Sequence, residues 1–233
     1  MTETLKVLEH YTSIQGEGVR TGTPTQFVRF AGCNLRCPGW PCDTPQAIFP
    51  DQYRHEYEAR QPHELALDIW TEYEATGARN ICITGGEPFV QRELALELLL
   101  QQLIALHLSV EVFTNGTRII PGPWLALAHI TMDWKLPGSG EAQKEPEIRL
   151  INARKLKPTD VIKFVIANDD DLEEALAIDQ RILSTHTMAK TWIGAAWGYP
   201  TDKLVEFITA HKLPWNLNVQ THKYIWSAEE RYV

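Results

Sequence analysis

The sequence predicts a partial, open barrel of (β/α)6 type, with a doubly wound open sheet as the alternative. Short β-rich runs alternate with helical patterns along the chain. The 233 residues have room for about six such units, fewer than the eight of a full barrel at ~250 residues. No Gly/Ser-rich linker, low-complexity stretch or internal repeat separates the units, so residues 1–233 read as a single domain.

The strands are expected at 26–30 (QFVRF), 80–84 (NICIT), 109–113 (SVEVF), 129–133 (HITMD), 161–166 (VIKFVI), 191–193 (TWI) and 216–219 (NLNV), each rich in β-branched or aromatic residues. Between them, 63–75 sets Ala66, Ile69, Trp70 and Tyr73 on one helical face and stops at Gly77. The segment 93–105 is leucine-rich enough to be largely buried. The helix at 169–182 opens on three aspartates, which suit the positive end of its dipole, and 201–210 begins with a threonine cap. Strand and helix in alternation imply a parallel sheet with right-handed crossovers, and an active site at the carboxyl ends of its strands.

Composition excludes several partners. With 30 Asp and Glu against 22 Lys and Arg, the formal charge of −8 argues against nucleic acid, whose binding rests on neutralising phosphates, and in favour of a small molecule. The basic run at 149–157 (RLINARKLK) reads as solvated surface. The first residues lack a signal-peptide core and no apolar run is long enough to span a bilayer, so no membrane and a cytoplasmic location are expected. Disulfides are rare there, so the cluster Cys33, Cys37 and Cys42 points to a metal or redox site. Cys82, between Ile81 and Ile83, reads as a small core residue.

The cluster spacing is Cys-x3-Cys-x4-Cys, on one loop directly after the 26–30 strand. Zinc usually takes a fourth protein ligand and favours two paired elements. Three thiolates with an open position suit instead an iron–sulfur cluster, although the common cluster is held by four cysteines.

Gly32-Cys33-Asn34-Leu35-Arg36-Cys37 and Thr84-Gly85-Gly86-Glu87-Pro88, each at a predicted strand end, resemble radical S-adenosylmethionine enzymes. That resemblance implies a [4Fe–4S] cluster on Cys33, Cys37 and Cys42, with S-adenosyl-L-methionine on the open iron. The family's usual spacing is Cys-x3-Cys-x2-Cys with an aromatic before the last cysteine. Here two residues are added, and Pro41 separates Trp40 from Cys42.

Tyr11 to Gly18 (YTSIQGEG), Gly22-x-Pro24-x2-Phe27-Val28-Arg29 and Cys42-Asp43-Thr44 narrow the resemblance to the 7-carboxy-7-deazaguanine synthase family. Phe113 to Thr117 (FTNGT), Asp133-Trp134-Lys135 with Pro137, Lys163-Phe164-Val165 and Gln220 to Lys223 (QTHK) extend it from residue 9 to about 226.

The resemblance implies ring contraction of 6-carboxy-5,6,7,8-tetrahydropterin to 7-carboxy-7-deazaguanine with loss of ammonia, begun by reductive cofactor cleavage and hydrogen abstraction at C6. It implies substrate contacts from Ile14, Gln15, Gly16, Glu17, Arg29 and Thr84, with Arg29 offering a planar fork to the carboxylate. Arg29 lies within a strand and is expected to point inward. Thr44 is implied as the ligand of a magnesium ion (Mg2+), a cation that takes few protein oxygens. Asp43 either orients a bound water or caps the loop. For the cofactor the resemblance implies Gly86, Asp133, Trp134, Lys135 and the run Gly194, Ala195, Ala196, Trp197, the last alternatively a plain turn. A flavodoxin- or ferredoxin-type electron donor and a homodimer are implied as well. The rivals are an activase that takes hydrogen from a partner protein, which has no use for 13–18 and Arg29 as a set, and a non-enzymatic zinc-binding module.

Overall fold

The computed structural model describes residues 3–39, 42, 44–49, 51–185 and 187–226. Among these the β-rich runs join into one nine-stranded sheet. Its strands are β1 (Leu5–Ile14), β2 (Pro24–Phe30), β3 (Glu58–Arg60), β4 (Asn80–Gly85), β5 (Ser109–Thr114), β6 (His129–Trp134), β7 (Val161–Ile166), β8 (Lys190–Ala195) and β9 (Asn216–Leu217). The helices are α1 (Pro45–Ile48), α2 (Pro62–Thr76), α3 (Glu93–Ala105), α4 (Gly122–Leu127), α5 (Pro146–Ala153), α6 (Asp169–Leu183), α7 (Thr201–Ala210) and α8 (His222–Ile225).

The strand order is β3-β1-β2-β4-β5-β6-β7-β8-β9, and from β2 onward every pair is parallel. A doubly wound sheet reverses its order at a switch point. This one does not: crossovers of one hand advance in one direction and leave the helices on one side, as in a barrel. The short edges β3 and β9 do not pair with each other, so the barrel is open.

Period-2 alternation divides the sheet into two chemistries. Ile81, Ile83, Val110, Val112, Ile130, Met132, Ile162, Phe164 and Ile193 join Leu65, Leu99 and Leu172 of the helices in the apolar core. Truncating Leu99, which is fully buried, to alanine costs about 2–5 kcal/mol. The other face is concave and polar. Strand register sets its residues in rows: Glu9, Arg29 and Thr84; then Cys82, Glu111 and His129; then Asp133, Lys163 and Trp192.

Local signals behave mostly as read. α2 ends at Gly77, whose φ of 73° is left-handed backbone, and Gln61 with Glu64 forms a capping box at its start. The Asn168 side chain caps α6 by accepting from Asp171 N at 3.0 Å. Two expectations are corrected and a third is refined. Thr201 is the first residue of α7, not its cap; Pro200 holds the cap position without a side-chain bond. The basic run is not simply solvated: Arg149 is fully buried and donates to the carbonyls of Ala142 (3.0 Å) and Glu141 (3.1 Å). Cys82 is buried as expected, but on the concave face, in the row of Glu111.

Candidate active site at the carboxyl ends of the strands

The cysteine loop leaves β2 and is held from three directions. Gly86 N donates to the Phe30 carbonyl (3.0 Å) and Glu87 N to that of Gly32 (2.8 Å), which ties the loop's root to the end of β4. Asn34 donates to the Thr117 hydroxyl (2.7 Å) and accepts from the Asn115 amide (3.2 Å), beyond the end of β5. Beyond β6, Arg36 N donates to Glu141 (2.7 Å) and Gly39 N to the Ser139 carbonyl (3.2 Å). Cys37 adopts a φ of 45°, an uncommon conformation for a residue with a side chain, between these anchors. Trp40, Pro41 and Asp43 lie outside the described residues.

The thiols fit the cluster's demands. Burial pushes Cys33 up to about 11, and Cys37 is raised as well, so both are neutral thiols unless a cation binds them. Cys33 Sγ already accepts from Leu35 N (3.4 Å) and faces the Asn115 amide (3.9 Å), the kind of donors that tune cluster sulfurs. Among the described residues no three Cys, His, Asp or Glu side chains converge on a single point. A four-iron cluster spreads its ligands over separate corners.

Glu87 organises the floor of this loop. It is fully buried, and its carboxylate accepts from Phe89 N (3.0 Å), the Thr114 hydroxyl (2.7 Å) and Asn115 N (2.6 Å). The glycines before it are needed for close backbone approach: a Cβ on Gly86 would strike the Gly32 carbonyl, and Gly85, at φ 123°, lies against Phe30.

The concave rows collect the remaining predicted residues. Arg29 points inward, as expected, donating from Nε to Glu9 (2.8 Å) and from Nη1 to the Thr44 hydroxyl (3.3 Å). Thr44 is nearly buried, ahead of α1. Glu17 pairs with Lys163 and accepts from Gln220. Burial alone would raise this carboxyl, but Lys163, Gln220 and His222 together hold it down to about 2. Thr221 N donates to the Gly16 carbonyl (3.0 Å), and a side chain on Gly16 would strike His222, so the C-terminal segment closes over the 14–17 loop. Asp133 and Lys135 form an ion pair at 2.7 Å.

The other residues named from the sequence lie around this face and its rim. Gln15 is 3% exposed; it donates to Glu111 and accepts from Glu17 N, so its amide braces the loop. Trp134 has the opposite parity to Asp133, and its ring lies in the apolar core near Arg149. Ile14 shares the parity of Thr12, whose hydroxyl bonds Glu72 on the helical side (2.6 Å). Thr84 stands in the row of Arg29. Gly194 packs against Asn218, Ala196 N donates to the Ile166 carbonyl (2.8 Å), and Trp197 is 72% exposed with Lys223 over its ring. Ala195 ends β8 at the same rim.

Buried polar atoms without partners among the described residues include Thr131 Oγ1, Asp133 Oδ1, Trp192 Nε1 and Asn218 Nδ2. They gather around the concave rows, where a ligand rich in hydrogen-bonding groups meets their need.

Comparison with known proteins matches this arrangement. A family described as a 4Fe-4S single cluster domain matches residues 14–117. A 7-carboxy-7-deazaguanine synthase of Methanospirillum hungatei is 36% identical over 227 residues, covering 95% of this chain and 85% of the relative. Another, from Clostridium acetobutylicum, is 33% identical over 234 residues, covering 98% and 99%. This chain belongs to the 7-carboxy-7-deazaguanine synthase family. The crystal structure of QueE from Escherichia coli shares the fold with a TM-score of 0.72 at 23% identity, covering 93% of this chain and 94% of that one.

Within the family frame, the cysteine loop and the glycine-rich strand end occupy one rim, as their sequence order implies. Roles for Glu87, Asn115, Lys163, Gln220 and His222 were not assigned from sequence. All five lie in motifs matched to the family, and Lys163 carried a physical signal as well: a lysine inside the apolar run VIKFVI has to be paired if the strand is buried.

Proposed function

We propose that this chain is a radical S-adenosylmethionine enzyme. It converts 6-carboxy-5,6,7,8-tetrahydropterin to 7-carboxy-7-deazaguanine by ring contraction with release of ammonia, in 7-deazapurine biosynthesis of the queuosine or preQ0 type. The observation that carries this reading is the placement of the three-cysteine loop at the rim of a concave face whose charges are already paired and oriented. The cluster and S-adenosylmethionine, held by Cys33, Cys37, Cys42 and the strand ends at 86, 133–135 and 194–197, supply the radical chemistry when bound.

The chain's own residues bind and orient. Arg29 offers its fork to the substrate carboxylate, with Glu9 fixing its Nε side. Thr44, already within reach of Arg29, is the oxygen offered to magnesium. A carboxylate between guanidinium and cation offsets their repulsion. Glu17, kept ionised, accepts from the pterin's ring and amino N–H donors, while Gly16 and the Gln15 backbone line the same edge. The C-terminal segment over Gly16 limits access of water to that edge.

Residues 1–233 act as one domain in this reading, as a cytoplasmic homodimer served by a flavodoxin- or ferredoxin-type donor, with no nucleic acid or membrane partner. No helix among the described residues is long and apolar enough to cross a membrane. The test is anaerobic turnover of the carboxypterin with mass detection. Cofactor-dependent appearance of the deazaguanine is expected, and cofactor cleavage without that product overturns the substrate assignment.

A further inference from the structure

At the amino ends of β4 to β7, opposite the cysteine loop, lies a cavity of about 510 Å³ whose lining includes Arg20, Arg79, His107, His129, Lys157 and Thr159. None of them has a role in the proposed reaction. In a chain of net charge −8, three cations around one cavity run against the overall field.

Arg79 is held by a neutral group, while Lys157 and Arg20 each have neutral partners and also face a carboxylate. Arg79 Nε donates to the His107 carbonyl (2.8 Å), which fixes its guanidinium without cancelling it. Lys157 Nζ donates to the carbonyls of Leu125 (2.6 Å) and Ala128 (2.5 Å) and stands 3.6 Å from Asp160. Arg20 donates to Asn80 and lies 3.7 Å from Glu111.

His129 adds a second, independent observation. Its side chain is 8% exposed, and its Nε2 is buried with no partner among the described residues. Its Nδ1 faces Asp160 at 3.6 Å, which favours the Nδ1–H tautomer and leaves Nε2 as a bare lone pair. Burial, against the pull of Asp160 and aided by Arg20 and Lys157, pushes the ring down to about 4, so it stays neutral near pH 7. Fixed cations beside one buried acceptor match an anion that itself carries a proton.

The geometry points to a binding site for a phosphate-bearing small molecule, with Arg79 on phosphate oxygens, the already-bonded Lys157 adding only its charge, and a P–OH donating to His129 Nε2. A phosphate monoester, whose second ionisation lies near pH ~6, can present that proton. Sulfate has the same shape but no proton to give. The cavity has more room than one phosphate group fills, so an attached sugar fits the same chemistry.

The experiment is calorimetric titration of the cluster-reconstituted protein under anaerobic conditions with inorganic phosphate, ribose 5-phosphate and sulfate, at constant ionic strength. One saturable site per chain is expected, preferring phosphate or its ester over sulfate by about tenfold, the scale of one buried hydrogen bond. Arg79→Gln should weaken binding by about tenfold or more, as loss of a charge-assisted bond does. Arg181→Gln, which removes a remote exposed cation, should leave it unchanged. Tighter binding of the ester identifies a sugar phosphate as the ligand; equal binding identifies free phosphate. Absence of a saturable site, sulfate binding as well as phosphate, or wild-type affinity in Arg79→Gln overturns the proposal. If Arg79→Gln does not fold, the phosphate-to-sulfate ratio in the native chain decides alone.

Discussion

Replacing Glu87 with glutamine tests whether the buried carboxylate, rather than the cysteines alone, sets the position of the cluster loop. Its Oε1 accepts from Phe89 N and the Thr114 hydroxyl, and its Oε2 from Asn115 N. A glutamine oxygen can keep the first pair, but its NH2 then faces the Asn115 N–H, donor against donor. One charge-assisted bond is lost, about 1.5–3 kcal/mol, and a buried N–H is left unsatisfied, about 1–3 kcal/mol, or about 2.5–6 kcal/mol in all. For a chain of this size that is a fall in Tm of roughly 5–24 °C. Asn115 also carries the bonds to Asn34 and toward Cys33, so iron content and visible absorption after anaerobic reconstitution should fall as well. Differential scanning calorimetry and iron analysis on the same sample check both. A Glu87→Gln protein with the native Tm and a full cluster refutes the reasoning.

Other expectations follow from the same geometry. Cys33→Ser, Cys37→Ser and Cys42→Ser should each abolish cluster absorption while Cys82→Ser keeps it; a colourless native protein holding zinc sinks the cluster altogether. Arg29→Lys keeps the charge but loses the fork, raising the KM for the carboxypterin by about 1–3 kcal/mol equivalent with cofactor affinity unchanged; an unaltered KM makes Arg29 structural. Thr44→Val should raise the magnesium concentration needed for turnover and uncouple cofactor cleavage from product, and wild-type coupling across a magnesium titration removes its assignment. Glu17 is held at about 2 against an ordinary 4.5, so its stabilisation is complete above pH 4.5 and is lost as pH falls through about 2. That window carries on the order of 3 kcal/mol. Lys163→Met should flatten the acid limb of the stability profile there, and an unchanged limb in urea titrations contradicts the pairing.

The parallel units were legible because each strand has one face of branched apolar residues and α2 an obvious stop at Gly77. β1 was missed for the opposite reason: beyond Val7 it presents Glu9 and Tyr11 on one face and His10 and Thr12 on the other, both polar, so alternation gives no contrast. Its partners explain the polarity, since His10 bonds Gln26 (2.9 Å) while Glu9 holds Arg29. At the site, contiguous motifs were readable because one loop carries them. Pairings were not: Glu17 and Lys163 lie 146 residues apart, and Gln15 and Glu111 lie 96 apart. A one-dimensional pattern shows that each is polar in an apolar setting, but not which charge answers which. Gln15 illustrates this: its bond to Glu111 is not visible in the 14–17 motif that carries it.

The polar concave face bears on how long the protein survives in a cell. A closed barrel fills its interior with packed branched side chains, whereas here Glu9, Arg29, Glu111, Asp133 and Lys163 occupy that side. One whole surface of the sheet therefore contributes little apolar burial, and the outer helical layer carries most of the folding free energy. Ligands that seat on the concave rows add their binding energy to the native state alone, about 2.7 kcal/mol at a hundredfold excess over Kd. Since proteases sample the open population, a ligand seated there should slow proteolysis of the chain in proportion to its occupancy.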